Sequence, residues 1–94
     1  MTFSQHETLH LKSDDVVWRE VEDELVVLEL STTTYLTLNG SAKQLWLSLA
    51  DGATVLDLAS MLVDHYRIPM EQATVDAETF VAEMTSRGLL ESAN

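Results

Sequence analysis

The stretch Leu25-Val-Val-Leu-Glu-Leu-Ser-Thr-Thr-Thr-Tyr-Leu-Thr-Leu-Asn-Gly40 decides the fold of this 94-residue chain. Its first six residues, 25–30, are apolar except for Glu29 and predict a β-strand. Residues 34–38 alternate between Leu and more polar side chains and predict another strand. Because only residues 31–33 connect the two strands, they are expected to pair antiparallel.

One more predicted strand, Val16–Val21, precedes this stretch and is separated from it by the acidic turn Glu22-Asp23-Glu24. Such short connections place the three strands in an antiparallel meander, in sequence order. Residues 8–12 predict a further short extended segment. The last strand of the meander, Thr34–Leu38, is then an edge strand whose outer backbone N–H and C=O groups have no partner.

After residue 40 the spacing of apolar residues changes to the i, i+3, i+4 pattern of amphipathic helices. This pattern predicts three helices, over residues 40–50, 55–66 and 70–87. Asn39 is expected to cap the first helix, Thr54 and Asp57 form a capping box for the second, and Pro69 separates the second from the third. Gly88 occupies the position of a left-handed residue after a helix. Strands followed by helices indicate an α+β domain.

The composition is that of one folded domain with an acidic surface. Hydrophobic residues make up 46% of the 94 residues (10.5 kDa), which is enough for a core, and the formal net charge is −11. We expect a single domain over residues 8–91, with flexible ends at 1–7 and 92–94. No apolar run approaches the roughly 18 residues of a membrane span, and no signal peptide is recognisable, so a cytoplasmic protein without a membrane partner is expected.

The charge distribution argues against nucleic acid as a partner. The five basic residues stand singly along the chain, whereas a protein that binds the phosphate backbone clusters its Lys and Arg side chains. A winged-helix transcription factor is an alternative to weigh, because a fold does not determine a function. The second predicted helix, however, offers a DNA groove only Arg67, at its end.

The sequence contains no recognisable catalytic or metal-binding motif. Cysteine is absent, which excludes thiol nucleophiles, disulfides and thiolate metal sites. His6-Glu-Thr-Leu-His10 matches the zinc-protease string, but in an extended segment its two imidazoles lie about 13 Å apart, too far for one metal. The chain also lacks a G-x-S-x-G elbow and a glycine-rich phosphate loop. We therefore predict no catalytic residues, no metal and no cofactor.

Two features favour a peptide-binding surface instead. The first is the edge strand Thr34–Leu38. The second is a stripe of the third helix that is turned away from the apolar face centred on Phe80. This stripe consists of Val75, Thr79, Ala82 and Ser86. A strand edge beside a helix face makes a groove in which an extended peptide can add as a further strand.

A series of short motifs resembles a known family. In order, the motifs are Leu28-Glu-Leu-Ser-Thr-Thr-Thr-Tyr-Leu-Thr-Leu-Asn39, Asp51-Gly52, Thr54-Val55-x-Asp57-Leu58-Ala59, His65-Tyr66, Asp76-x-x-x-Phe80 and Gly88-Leu89-Leu90. Together they resemble the PqqD-like domain, the leader-recognition element of pathways that make ribosomally synthesised, post-translationally modified peptides (RiPPs), over residues 9–91. A free-standing domain of this length is most similar to the recognition half of the split lasso-peptide leader-processing system.

The resemblance implies a winged helix-turn-helix fold and a non-catalytic function. A leader segment, typically with a Tyr-x-x-Pro element, would pair antiparallel with the third strand of the meander against the third helix. The recognition protein would then deliver the precursor to a separate leader-cleaving cysteine protease. A PqqD-type role beside a radical enzyme of quinone-cofactor synthesis is the alternative, and the oligomeric state is left open.

The resemblance and the helical wheel together predict the peptide-binding residues. Those of the strand are Thr34, Tyr35, Leu36, Thr37 and Leu38, and those of the helix are Val75, Asp76, Thr79, Ala82, Glu83 and Ser86. The helix positions rest on wheel geometry and not on a motif. The turn Ser31-Thr32-Thr33 departs from the family pattern because a glycine is usual there.

Overall fold

The computed structural model describes residues 5–12 and 14–92 and contains three helices and two antiparallel sheets. The elements are β1 (Leu9–Leu11), β2 (Val16–Val21), β3 (Glu24–Glu29), β4 (Thr34–Leu38), α1 (Gly40–Ala50), α2 (Val55–Tyr66), α3 (Met70–Ser86) and β5 (Leu90–Ser92). The predicted α+β class, the meander and the three helices are confirmed. The strand predicted over residues 25–30 lies one residue earlier, and the third helix ends one residue before its predicted end.

The larger sheet has the strand order β2-β3-β4, with every neighbouring pair antiparallel. Trp18 lies opposite Val27, and Val27 lies opposite Leu36, so these side chains share the face that is turned toward the helices. Val27 is buried on this face, together with Leu25 two residues before it. Burial of alternate residues is what positions the sheet on the core and fixes its register.

The turn between β3 and β4 forms without the glycine that is usual at this point in the family. Thr33, the last residue of this turn, adopts a left-handed conformation with φ of 54°. For a residue with a side chain this conformation costs about 1–2 kcal/mol. The turn is held in place by Asp15, whose carboxylate accepts hydrogen bonds from the backbone N–H of Ser31 at 2.9 Å and from the Ser31 hydroxyl.

The helix ends follow the sequence signals with one exception. Thr54 and Asp57 form the predicted capping box, in which both hydrogen bonds between side chain and backbone measure 3.0 Å. Gly88 closes α3 in a Schellman arrangement, with φ of 75° and a hydrogen bond from Leu89 N–H to Met84 C=O of 3.0 Å. Asn39 is the N-cap residue of α1 as predicted, but its side chain makes no capping hydrogen bond.

The core lies between the inner face of the larger sheet and the three helices. Trp46 of α1 is fully buried at its centre, and Trp18 of β2 packs against it edge to face with ring centroids 6.4 Å apart. At the rim of the same contact, Lys43 Nζ lies 3.2 Å from the Glu20 carboxylate. These contacts hold α1 against β2, and β4 lies at the opposite edge of the sheet, where no strand of the described residues pairs with it.

A second, two-stranded sheet joins the two ends of the chain. β1 pairs with β5 so that Leu9 lies opposite Ser92, and Leu9 also exchanges two backbone hydrogen bonds with Ala53. The extended segment predicted over residues 8–12 is confirmed, but its pairing with β5 was not predicted. The imidazole of His10, a residue of β1, packs closely against Gly52. A Cβ atom on residue 52 would lie only 2.8 Å from Cε1 of His10.

Parts of the predicted flexible ends fall outside the structure. Residues 1–4 and 93–94 lie outside the described residues, and for them flexibility stays a prediction. The backbone C=O of Gln5 accepts a hydrogen bond from Leu56 N–H at 3.3 Å, and Ser92 pairs in β5. Within the described part of the chain, no helix is both long enough and apolar enough to cross a membrane.

Candidate functional site

The outer edge of β4 is an open strand edge. β4 is the last strand of the three-stranded sheet, and no strand of the described residues pairs with its outer side. The side chains of Thr34, Tyr35 and Thr37 are exposed, Tyr35 to 70%, whereas Leu38 is buried. An exposed edge of this kind can accept the backbone of an added strand.

The register of the sheet decides which backbone groups are available at this edge. The N–H of Leu30 donates to the C=O of Asp15 at 2.8 Å, one step beyond the β2–β3 ladder. In an antiparallel pair, hydrogen-bonded and non-hydrogen-bonded positions alternate. Leu28 and Val26 therefore direct their backbone groups toward β2, and Val27, which lies between them, directs its own toward β4.

The same alternation continues into β4. Leu36 lies opposite Val27 and uses its N–H and C=O for this pair. Its neighbours Tyr35 and Thr37 consequently direct their N–H and C=O groups out of the sheet. The free edge thus offers two donors and two acceptors to an added strand.

A cavity of about 450 Å³ opens near the end of β4. Its floor is apolar and is formed by Leu45 of α1, Leu62 of α2 and Phe80 of α3, all of them buried. Ser41 is also part of its lining and follows Leu38 by three residues, a distance of at most about 10 Å along the chain. The cavity therefore begins within a few residues of the end of β4 along the chain.

The rim of the cavity is polar. It includes exposed side chains of α2 and α3, namely Tyr66, Gln72, Asp76, Thr79 and Glu83. The Glu83 carboxylate lies 3.8 Å from the Arg87 guanidinium, but Asp76 has no ion-pair partner among the described residues. An apolar floor with a polar rim suits the anchoring of an apolar side chain of a peptide whose backbone stays near the surface.

The predicted helix residues divide into two groups. Asp76, Thr79 and Glu83 line the cavity. Val75, which is 57% exposed, borders a separate shallow depression of about 310 Å³ next to Pro69. Ala82 and Ser86 are exposed and line neither cavity. At 100° per residue, the cavity-lining stripe is rotated toward the core by roughly 70° from the stripe defined by Val75, Ala82 and Ser86.

Several lining residues were not predicted, because they come from other elements. Ser41 and Ala42 belong to the first turn of α1, and Tyr66 and Ile68 lie where α2 ends. The sequence signal for Tyr66 is its i+4 spacing from Leu62, which places it on the inner side of α2, but it is 43% exposed because α2 ends there. No metal-binding group of three His, Asp or Glu side chains occurs among the described residues.

The comparisons with known proteins identify the family. The sequence profile of the family described as Coenzyme PQQ synthesis protein D (PqqD) matches residues 24–90, which is more than two-thirds of the chain. The chain belongs to the PqqD family. This confirms the resemblance to PqqD-like recognition elements, and the matched region begins at β3 and contains β4, all three helices and the whole candidate site. No curated protein matches the chain.

Two solved structures share the fold of this PqqD-family chain. One is TbiB1 in complex with the TbiA(beta) leader peptide, which is 28% identical, covers 84% of this chain and 92% of its own, and superposes with a TM-score of 0.78. The other is described as lasso peptide synthetase B1 complexed with the leader peptide; it is 22% identical, covers 88% of this chain and 96% of its own, and has a TM-score of 0.79. The winged-helix fold expected from the sequence is thereby confirmed.

Proposed function

We propose that this PqqD-family chain is a non-catalytic recognition protein that binds the leader segment of a ribosomally made precursor peptide of the lasso type. The observation that carries the proposal is the open edge of β4 beside an apolar cavity faced by α3. The 28% identical TbiB1, whose structure holds a leader peptide, supports the same type of ligand.

The leader adds as an antiparallel strand between β4 and α3. Its backbone pairs with the outward N–H and C=O groups of Tyr35 and Thr37, and each such hydrogen bond contributes about 0.5–1.5 kcal/mol net. These bonds are not specific for sequence, and they must also offset the ordering of a disordered segment. Selectivity therefore comes from an apolar leader side chain in the cavity over Phe80, which contributes about 1.5–3 kcal/mol.

The bound precursor is delivered to a separate enzyme that removes the leader, a cysteine protease. These 94 residues contain no cysteine, so the thiol nucleophile of such a reaction has to come from outside them. We place this step in the cytoplasm, where a ribosomally made precursor is first available. The recognition protein thus binds the leader and positions the precursor, and the partner enzyme cleaves the leader from it.

A PqqD-type role in quinone-cofactor synthesis is the second candidate, and the description of the matching family favours it. The partner enzyme would then be a radical enzyme, while the groove and the strand addition would be the same. DNA binding by the winged-helix fold is disfavoured, because α3 carries Glu71, Asp76, Glu78 and Glu83 but no Lys or Arg.

The test is a fluorescence-polarisation titration with two labelled leader peptides, one with a Tyr-x-x-Pro element and one in which both residues are Ala. Saturable binding of the first peptide, weakened at least tenfold in the second, is the expected result. The precursor peptide of quinone-cofactor synthesis serves as the third ligand. If it alone binds, the lasso assignment is wrong and the second candidate holds. Binding of none of the three contradicts leader recognition by the isolated chain.

A further inference from the structure

Resting on the leader binding proposed above, we propose that Asp76, assisted by Glu83, makes this site select leaders that carry a Lys or Arg beside the apolar side chain that enters the cavity. The ligand is thus an extended peptide with an apolar anchor and an adjacent cation. The cavity supplies the place for the anchor, and the two carboxylates at its rim supply the charge that complements the cation.

The two carboxylates stand on either side of the apolar floor. Asp76, Phe80 and Glu83 follow one another at helical spacings of four and three residues and all line the cavity. Asp76 and Glu83 are seven residues apart, which is about 10.5 Å along the helix axis. Phe80, which is only 8% exposed, lies between them. A side chain that enters the cavity over Phe80 therefore passes between two acidic groups.

An extended peptide brings a neighbouring cation within reach of these groups. A strand advances about 3.3 Å per residue, so a leader that runs alongside α3 passes both carboxylates within about three residues. Lys and Arg can lay their aliphatic stems on an apolar rim and keep the charged group in water. A cationic residue one or two positions from the anchor can thus reach Asp76 or Glu83.

The basic residues of the chain leave Asp76 unpaired. Arg87 lies 3.8 Å from Glu83, and Lys43 is paired with Glu20 at 3.2 Å. Neither Lys12 nor Arg19 nor Arg67 is bound to Asp76, which has no ion-pair partner among the residues that the structure describes. Asp76 is therefore the carboxylate that is available to a ligand, and Glu83 is the secondary one.

A preference for leaders with Lys or Arg must be distinguished from the general attraction that a protein of net charge −11 exerts on any cationic peptide. Glu78 offers a matched control. It is exposed, belongs to the same helix, and lies about 160° around the helix from Phe80, away from the cavity. Asp76→Lys and Glu78→Lys change the net charge equally, from −11 to −9. Only the first change alters the rim of the cavity.

The experiment is a fluorescence-polarisation titration at 50 and 200 mM salt with three labelled peptides. All share one Tyr-x-x-Pro element and differ only at the two positions that flank the Tyr, which are both Lys, both Gln or both Glu. For the wild-type chain and for Glu78→Lys we expect affinity to fall from Lys to Gln to Glu, by about three- to tenfold overall and less at high salt. For Asp76→Lys the order is expected to disappear or to reverse.

Two results would overturn the inference while leaving leader binding intact. One is equal affinity of the wild-type chain for all three peptides. The other is an equal loss of the Lys preference in Asp76→Lys and Glu78→Lys, which would assign the preference to net charge. Binding of none of the peptides to the wild-type chain would overturn the proposed function and the inference together. Far-ultraviolet circular dichroism of both variants is the control for folding, and we expect the spectrum of the wild-type chain.

Discussion

Leu36 of β4 lies directly opposite Val27 of β3, and this pairing turns the backbone of Tyr35 and Thr37 to the open edge of the sheet. The residues of this five-residue strand therefore differ in the direction of their backbone N–H and C=O groups. Leu36 holds the strand in the sheet, whereas its two neighbours present the groups that an added strand would use. Single substitutions at adjacent positions of β4 can therefore test whether a leader binds to the backbone of this strand.

Thr37→Pro removes an outward N–H without removing a hydrogen bond of the β3–β4 ladder. We expect leader affinity to fall at least tenfold while the far-ultraviolet circular dichroism spectrum is preserved. Thr37→Ala, which keeps the N–H, should bind almost as the wild type does. Equal loss in the Ala variant would assign the effect to the side chain. Leu36→Pro removes a ladder bond to Val27 and is expected to destabilise the domain itself.

Ala42→Phe tests the cavity from the α1 side. Ala42 lines the cavity and is partly buried, so a phenyl ring there should fill the space above Phe80. We expect the affinity for the Tyr-x-x-Pro leader to fall at least tenfold, measured by fluorescence polarisation, with little change in thermal stability. Unchanged affinity would mean that the anchor side chain does not enter this cavity.

Val75→Asp tests how far around α3 the binding face extends. Val75 is exposed and outside the cavity, so the substitution should leave the fold intact. We expect weaker leader binding, but a smaller loss than for Ala42→Phe, because a charge there meets only the margin of the groove. If affinity is unchanged, the binding face is confined to the stripe of Asp76, Thr79 and Glu83.

Thr33→Gly should stabilise the protein. Thr33 has φ of 54°, which glycine adopts without the steric cost that a β-branched residue incurs. We expect a gain of about 1 kcal/mol in the free energy of unfolding and a rise in Tm of roughly 4–8 °C, measured by thermal denaturation. Thr32→Gly is the control, because Thr32 has a negative φ and gains only flexibility in the unfolded chain. An equal rise in Tm for both variants would show that strain at Thr33 is not the cause.

Thr54→Ala and Asn39→Ala compare a helix cap that forms hydrogen bonds with one that does not. The Thr54 hydroxyl accepts a bond from Asp57 N–H at 3.0 Å, and its loss should cost about 0.5–2 kcal/mol. The Asn39 side chain makes no such bond, and its removal should cost clearly less. Urea denaturation measures both. A larger loss for Asn39→Ala would contradict this difference in capping between the two helices.

Local sequence signals predicted most of the secondary structure. The alternation in β4, the capping box at Thr54 and the left-handed Gly88 each depend on residues within one or two turns of the chain. Asn39 does occupy the N-cap position of α1, but it makes no capping hydrogen bond, because residue type indicates only a preference while the bond depends on the side-chain rotamer. The pairing of β5 with β1 was missed because three residues are too few for a periodic signal.

The candidate site was predictable only where it belongs to a single element. The edge position of Thr34–Leu38 follows from short connections and strand order. On α3, the helical wheel shows which residues share a stripe, so Asp76, Thr79 and Glu83 could be named. The wheel does not show where neighbouring helices stop, and Val75, Ala82 and Ser86 were therefore grouped with them although they line no part of the cavity.

The amino-acid sequence by itself determined the class of this protein, the order of its elements and the absence of a thiol nucleophile, because periodicity, caps and composition are properties of local chain chemistry. Only the tertiary structure decided that α1, the end of α2 and one stripe of α3 enclose an apolar cavity beside β4. It also decided that the backbone N–H and C=O groups of Tyr35 and Thr37, and not those of Leu36, point to the open edge of the sheet. Both depend on register and packing between residues far apart in sequence, which no local pattern encodes.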